Sequence, residues 1–429
     1  LVNVNADYLG ALFSVVRQSL GHGSYSEGRA YSVAGDAVLA AFLGDGLGQT
    51  VDTGLGSGIG SCTQQTAADL TGNRRYIDDP AALLLDEVGI DSGAGGEGTG
   101  EVDAQGAVPL SIGYFLEGNG SYLEDEIRSA GGRWEDFLHF EGNANAMRLL
   151  THQFIGRRKG GFALTYSTLA SIVKYPYASV HSGKKGKFGF FQSEEETYMR
   201  IATELGINHN PEDKNKFVRY PLVYLVEAAD DICYQIMDIE DACKLHILTT
   251  EEAIQLLLNF FEGERLDHII RVMKMVDDTN EQIAYLRSCI IGLLVDECSR
   301  VFLENENGIL DGTYNSPLIE QIEEQAKQAY ATCSKTAYKK IYRAKEVLDI
   351  ELAGYHIFSH LIDSLTEAVM NQSHAYSKLL LQRIPEQYDT NAPTTYGKIQ
   401  CVLDYISGMT DVYALDLYRK ITGMSLPAV

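Results

Sequence analysis

Hydrophobic positions recur at helical spacing along most of the last two-thirds of this chain. The clearest stretch is Pro221–Leu245. There Leu222, Leu225, Val226, Ala229, Ile232, Cys233, Ile236 and Ile239 fall three or four residues apart, as on one face of an α-helix. The polar positions also form a line. Asp230, Tyr234 and Asp238 are spaced i, i+4, i+8, with Glu227 one turn earlier. The pattern predicts a helix from Trp134 to Leu150 broken at Gly142, and one from Tyr166 to Tyr175 ended by Pro176. Ser193-Glu194-Glu195-Glu196 reads as a capping box opening a helix to about Leu205. Further helices are expected over residues 250–262, 277–304, 317–330, 335–350, 354–372 and 395–422. Strand signals are scarce after residue 134, and no fixed repeat stands out. The expected fold is all-α, with short loops favouring antiparallel neighbours.

Composition narrows the setting. A chain of 429 residues, 45% hydrophobic and 22% charged, builds a large core or two to three packed substructures. The longest apolar run, Ala37–Leu43, is too short to span a bilayer, and no secretory signal is visible. Seven cysteines with no Cys-x-x-Cys pair read as free thiols in a reducing cytoplasm, with Cys233 and Cys243 packed as small apolar residues. The net charge of −24 argues against broad binding to nucleic acid or an anionic membrane, but leaves room for a local basic pocket. Lys184-Lys185-Gly186-Lys187 is the clearest basic cluster, either a solvated loop or a phosphate contact.

The first third differs from the rest. Of 41 glycines, 25 fall within residues 1–132, which disfavours helices there at about 1 kcal/mol per glycine. No lysine precedes Lys159, and His22 alone precedes His139. Gly93–Gly98 matches Gly-x-Gly-x-x-Gly in letters, but no helix is expected after it, so the strand–turn–helix context of a nucleotide loop is missing.

Four segments carry chemistry. They are His139-Phe140-Glu141-Gly142-Asn143-Ala144-Asn145; Val173-Lys174-Tyr175-Pro176 followed by Gly189-Phe190-Phe191-Gln192-Ser193-Glu194; Glu227-Ala228-Ala229-Asp230-Asp231-Ile232-Cys233-Tyr234; and Asp404–Asp411. Spacing alone reads the acids of the third segment either as a metal or ligand site or as an ordinary charged face. A buried carboxylate needs a cation, a metal or a donor. Together and in this order the four segments resemble the bacterial deoxyguanosinetriphosphate triphosphohydrolase family, a branch of the HD-domain phosphohydrolases. The resemblance spans about residues 134–425.

The resemblance implies an HD-type helical bundle with additional C-terminal helices: residues 1–245 as catalytic domain and 246–429 packing on the active site. It implies hydrolysis of a deoxynucleoside triphosphate, dGTP first, to deoxynucleoside and tripolyphosphate. The cofactor would be a divalent or transition metal (Mn, Mg, Fe, Co, Ni or Zn) held by two histidines and two aspartates. Asp230 would be the last metal ligand and Asp231 an outer acid. Lys174 and Tyr175 would bind phosphate, Tyr234 and Asp238 the sugar or bound nucleotide, and His139 and Asn143 would lie near the site. Arg148 serves phosphate or a salt bridge; Asp404–Asp411 serves the base or a helix–helix contact through Ser407-Gly408. Family members form homo-oligomers, often hexamers, and some respond to nucleotides or single-stranded DNA.

The other expected ligands have no counterpart. The family's Leu-Thr-His-Ser would fall near Leu39–Phe42, where Ala40 or Ala41 holds the histidine place. Its His-Asp pair would fall between Asp86 and Gly106, where there is no histidine, and its general-acid histidine has no identifiable match. Three explanations stand open: letters that differ from the encoded ones, divergence with a lost metal site, or a misplaced alignment. The alternative function is a catalytically inactive, nucleotide-binding or regulatory protein on the same scaffold. A hydrolase acting on another nucleotide, such as a monophosphate, is a third reading.

Overall fold

The computed structural model describes residues 122–157 and 161–424. The expectations placed on residues 1–121, including the glycine-rich runs and the missing histidines, lie outside the described residues. Within the described part the chain is helical, with no named strand and two isolated bridges, Ala178 with Phe190 and His209 with Phe217. The all-α expectation holds there.

After a helical stretch at 122–129 come α1 (Glu135–Leu138), α2 (Gly142–Thr151), α3 (Tyr166–Ser171), α4 (Glu195–Leu205), α5 (Val223–Lys244), α6 (Thr250–Leu258), α7 (Gly263–Met273) and α8 (Thr279–Glu304). They are followed by α9 (Glu306–Asp311), α10 (Glu324–Thr336), α11 (Lys345–Met370), α12 (Ala375–Leu381), α13 (Thr395–Ser407) and α14 (Asp411–Ile421).

Several ends differ from the periodic pattern, each for a local reason. Gly142 opens α2 rather than breaking a longer helix, because the Glu141 side chain accepts from Asn143 N–H and caps it. α3 stops at Ser171, four residues short of Tyr175, and the chain already turns at Ile172–Lys174. The box at Ser193 does not form: Ser193 Oγ donates to Glu194 Oε2, and α4 begins with no side-chain cap. The reciprocal box forms instead at Thr249 and Glu252, opening α6, which ends at Leu258 rather than Glu262. Asp278 caps α8. The 317–330 stretch divides into a 3₁₀ turn (Leu318–Gln321) and α10, and a π turn (Ala337–Ile341) separates α10 from α11. α11 runs unbroken through the expected gap between Ile350 and Gly354. Residues 395–422 divide at Gly408–Thr410, where Thr410 caps α14. α7 and α12 were not expected from the pattern.

α5 packs against α8, α10, α6 and the turns at 318–321 and 337–341. α11 packs against α12, α13 and α14. This second group shares one core with the start of the described chain: Trp134, Phe137, Phe188 and Phe191 meet Leu361, Leu365, Val402 and Ile406. Burying each such side chain contributes about 1.5–3 kcal/mol. The segment leading to residue 192 is therefore held by helices that follow residue 345.

Candidate functional site

Past α3 the chain turns sharply to place Lys174 and Tyr175. Lys174 N–H donates to Ile172 O at 3.1 Å, and Tyr177 N–H to Tyr175 O at 2.7 Å, across Pro176. Gly189 lies directly against this turn. A Cβ there would stand 2.2 Å from Tyr175 O and 2.6 Å from Val173 Cγ1, so only glycine fits. The far end of the segment is anchored by Asp136, which is fully buried. Its carboxylate accepts from Ser179 Oγ at 2.5 Å, Gln192 N–H at 2.7 Å and Tyr396 Oη at 2.6 Å. Burial raises the Asp136 pKa, against the opposing pull of these three donors.

Lys174 is buried, with Nζ 3.2 Å from Glu227 Oε1. Arg219 reaches the same carboxylate through Nη1, 2.9 Å from Oε2, while its Nε donates to Lys174 O at 3.1 Å. Two cations thus converge on one buried acid near the N-terminal end of α5. Burial works against the Lys174 charge, but Glu227, Tyr175 and Asp231 outweigh it and its pKa is raised. Burial also raises Tyr175, opposed by Lys174 and Lys187. Asp231 is pushed up to about 7, first by burial and then by Glu227 and Glu320, with Lys174 opposing.

The polar side chains of α5 separate into two lines. Glu227, Asp231 and Gln235 are buried, whereas Asp230 and Asp238 are half-buried and Tyr234 is 38% exposed. The predicted line of Asp230, Tyr234 and Asp238 therefore faces partly outward, and Glu227, which the spacing placed one turn before it, belongs with Asp231 and Gln235 on a buried polar line. Tyr234 and Asp238 stand about 6 and about 12 Å beyond Asp230 along the axis, at 1.5 Å per residue. Tyr342 Oη donates to Asp238 Oδ2. Burial pushes Asp238 up to about 6, with the Tyr342 bond opposing.

Asn143 and His139 fall into a neighbouring group. Asn143 is buried, and its side-chain amide donates to Glu141 Oε1 at 2.6 Å. Lys187 Nζ lies 3.3 Å from Glu141 Oε2. His139 is exposed and packs on Gly186: a Cβ at Gly186 would come within 2.9 Å of the ring. Asn143 thus supports Glu141 and Lys187. Lys184 and Lys185 are exposed.

Arg148 resolves as a buried salt bridge. Its Nε and Nη2 reach Asp404 Oδ1 and Oδ2 at 2.6 and 2.7 Å, and Nη1 reaches Glu194 Oε1 at 2.7 Å. One guanidinium thus faces two buried carboxylates. Asp404 takes the bidentate fork, and burial pushes Glu194 up to about 7 against the pull of Arg148. Burial also lowers His152, nearby, to about 4.

Among the described residues no group of three or more His, Cys, Asp or Glu stands together as a metal cage. Asp230 supplies one carboxylate of the right kind, and the described residues do not complete a set around it. Sequence reasoning missed Arg219, Tyr342 and Asp136, since each works through a partner 8, 104 or 43 to 260 residues away. The closest signal was the apolar neighbourhood of each. No helix among the described residues is long and apolar enough to cross a membrane.

Residues 321–420 match the family model described as the phosphohydrolase-associated domain, which contains α10 through α13, Tyr342 and Asp404. A "Deoxyguanosinetriphosphate triphosphohydrolase-like protein" of Pseudomonas aeruginosa is 34% identical over 324 residues, covering 73% of this chain and 72% of the relative. One of the same name from Synechocystis is 33% identical over 68% of this chain and 67% of its own. A "Deoxyguanosinetriphosphate triphosphohydrolase" of Yersinia enterocolitica is 29% identical over 67% and 64%. The chain belongs to the deoxyguanosinetriphosphate triphosphohydrolase-like family and is a hydrolase, a phosphohydrolase of the HD type.

Proposed function

We propose that this protein hydrolyses a deoxynucleoside triphosphate, dGTP foremost, to the deoxynucleoside and tripolyphosphate. The observation that carries the reading is the pair Lys174–Tyr175, held beside the acidic face of α5 by Glu227, Arg219 and Gly189. The relatives' names point to the same substrate. Lys174 and Tyr175 bind the phosphate chain, Lys174 as a charge and Tyr175 as a hydroxyl donor. Tyr234 offers an exposed ring for the deoxyribose, and stacking on it disfavours an added 2′-hydroxyl. Asp238, oriented by Tyr342, accepts from a sugar hydroxyl. Glu227 sets the position of Lys174 and limits its free charge.

HD-family membership implies a divalent metal, and Asp230 would be one of its ligands. When bound, such an ion lowers the pKa of water and offsets phosphate charge. The test is turnover and metal content of the purified protein with Asp230→Asn, Lys174→Gln and Tyr234→Leu alongside. Asp230→Asn should lose both bound metal and turnover. Lys174→Gln should lower kcat/KM by on the order of a hundredfold, as for one charge-stabilising donor. Full turnover in Asp230→Asn would sink the reading.

A further inference from the structure

Two loops flank Lys174, residues 174–192 and 207–219, and they lie against each other. Phe217 N–H donates to Pro176 O at 3.0 Å. Seven lysines and arginines fall in these loops against two acids, Glu212 and Asp213, in a chain of net charge −24. This is a local reversal of the charge of the whole molecule.

The inner cations are largely compensated. Lys174 and Arg219 both meet Glu227, at 3.2 and 2.9 Å. A triphosphate or tripolyphosphate carries several negative charges, so this inner pair leaves most of them unmatched. The structure continues outward in a regular order. Lys174 Nζ lies 5.8 Å from the centre of the Tyr175 ring. The Tyr175 and Tyr177 rings are 6.3 Å apart. Lys216 Nζ stands 4.5 Å from the centre of Tyr177. The sequence is cation, ring, ring, cation, running from a side chain 9% exposed at Lys174 to one 32% exposed at Lys216. Backbone bonds fix the rings: Gly189 N–H donates to Tyr177 O at 3.1 Å, and Tyr177 N–H to Tyr175 O at 2.7 Å. Lys216 has Asp213 only at 3.7 Å, and that carboxylate already accepts from Asn215 N–H at 3.0 Å.

We propose that Tyr177 and Lys216 form an outer subsite for a polyphosphate chain, continuing outward from Lys174 and Tyr175. The inference rests on Lys174 and Tyr175 being the phosphate site. Tyr177 holds the Lys216 ammonium over the path and offers its own hydroxyl as a donor. Lys216 supplies a charge where solvent still reaches, so it attracts the incoming chain and slows loss of the outer phosphates. Lys216 is a binding residue and touches no reacting atom. If the contact only pinned the loop, Lys216→Gln would lower stability slightly and leave affinity unchanged.

The test is calorimetric titration of the full chain with inorganic tripolyphosphate. It is run at about 10 mM and about 150 mM ionic strength, where the Debye length falls from about 30 to about 8 Å. Lys216→Gln keeps an uncharged stem on Tyr177. It should bind about five- to tenfold more weakly at low ionic strength, with the gap closing to about twofold or less at the higher one. Lys216→Arg should stay within about twofold of wild type. Equal affinity of Lys216→Gln and wild type at low ionic strength overturns the subsite, as does a wild type that does not bind tripolyphosphate. Turnover of dNTP is measured in parallel on the same samples. Wild-type turnover with no Lys216 effect rejects the outer subsite and leaves the proposed function standing. Absent turnover counts against the function, while the titration still decides the subsite.

Discussion

Arg148→Met removes the guanidinium that joins α2 to α13 and to the residue before α4. Methionine keeps an unbranched stem in the buried slot, so packing loss is small. Asp404 loses both of its bonds to Arg148, at 2.6 and 2.7 Å, and Glu194 loses one at 2.7 Å. Gln400 Nε2, at 3.4 Å, is a weak substitute donor for Asp404. Breaking a buried pair by removing one partner costs about 3–5 kcal/mol. The cost depends on pH. Without Arg148, burial raises the folded-state pKa of Glu194 further above its unfolded value. Protonation relieves the penalty below the unfolded value, and the penalty grows as pH rises through the folded one. Urea unfolding followed by far-UV circular dichroism should show a loss of about 3–5 kcal/mol at pH about 8, smaller by about 1–2 kcal/mol at pH about 5. Adding Asp404→Leu and Glu194→Leu should recover much of the loss. A change under about 1 kcal/mol, or the same loss at both pH values, would refute the reasoning.

Glu194→Gln tests the raised carboxyl by itself. The folded pKa of about 7 lies above the ordinary 4.5, so the contribution of Glu194 to wild-type stability is fully present below the ordinary value and is lost, by up to about 3 kcal/mol, as pH rises through about 7. The Gln variant should lack that slope in urea midpoints measured across the range. Gly189→Ala places a Cβ 2.2 Å from Tyr175 O and should displace the Lys174–Tyr175 turn. About 1–3 kcal/mol of stability should be lost, with a larger fractional fall in kcat/KM. Tyr342→Phe removes the donor that opposes burial at Asp238. The acidic limb of the pH–activity profile, expected near 6, should then shift upward, because the ionised acceptor is lost at a higher pH. An unmoved limb would remove Asp238 from substrate binding.

Much of the fold was legible because long amphipathic stretches keep one period. α5 and α8 lie within two residues of their expected ends, since Ile232, Ile236 and Ile239 in one and Ile283, Leu286 and Ile290 in the other repeat on one buried face. Short elements were less legible. The π turn at 337–341 packs on α5, which comes from about a hundred residues earlier in the chain. The capping box misread at Ser193 shows the same limit: its hydroxyl was taken by Glu194 in the Arg148 cluster, a tertiary demand that outweighed the local one. At the site, Lys174, Tyr175 and the acids of α5 were visible as motifs. The resemblance made Asp230 the metal ligand and Asp231 an outer acid, yet Asp231 is the more buried of the two. Glu227 and Arg219 show why partners escape such reading: a charge is placed by its neighbours, and those are set by packing.

The product of dGTP hydrolysis is the most direct measurement. Purified protein is incubated with dGTP and manganese, and the phosphorus-containing products are separated by ion-exchange chromatography. The account predicts tripolyphosphate and deoxyguanosine in equal amounts, with turnover lost in Asp230→Asn and kcat/KM lowered on the order of a hundredfold in Lys174→Gln. Release of orthophosphate or pyrophosphate as the primary product, or tight dGTP binding with no cleavage, would contradict it.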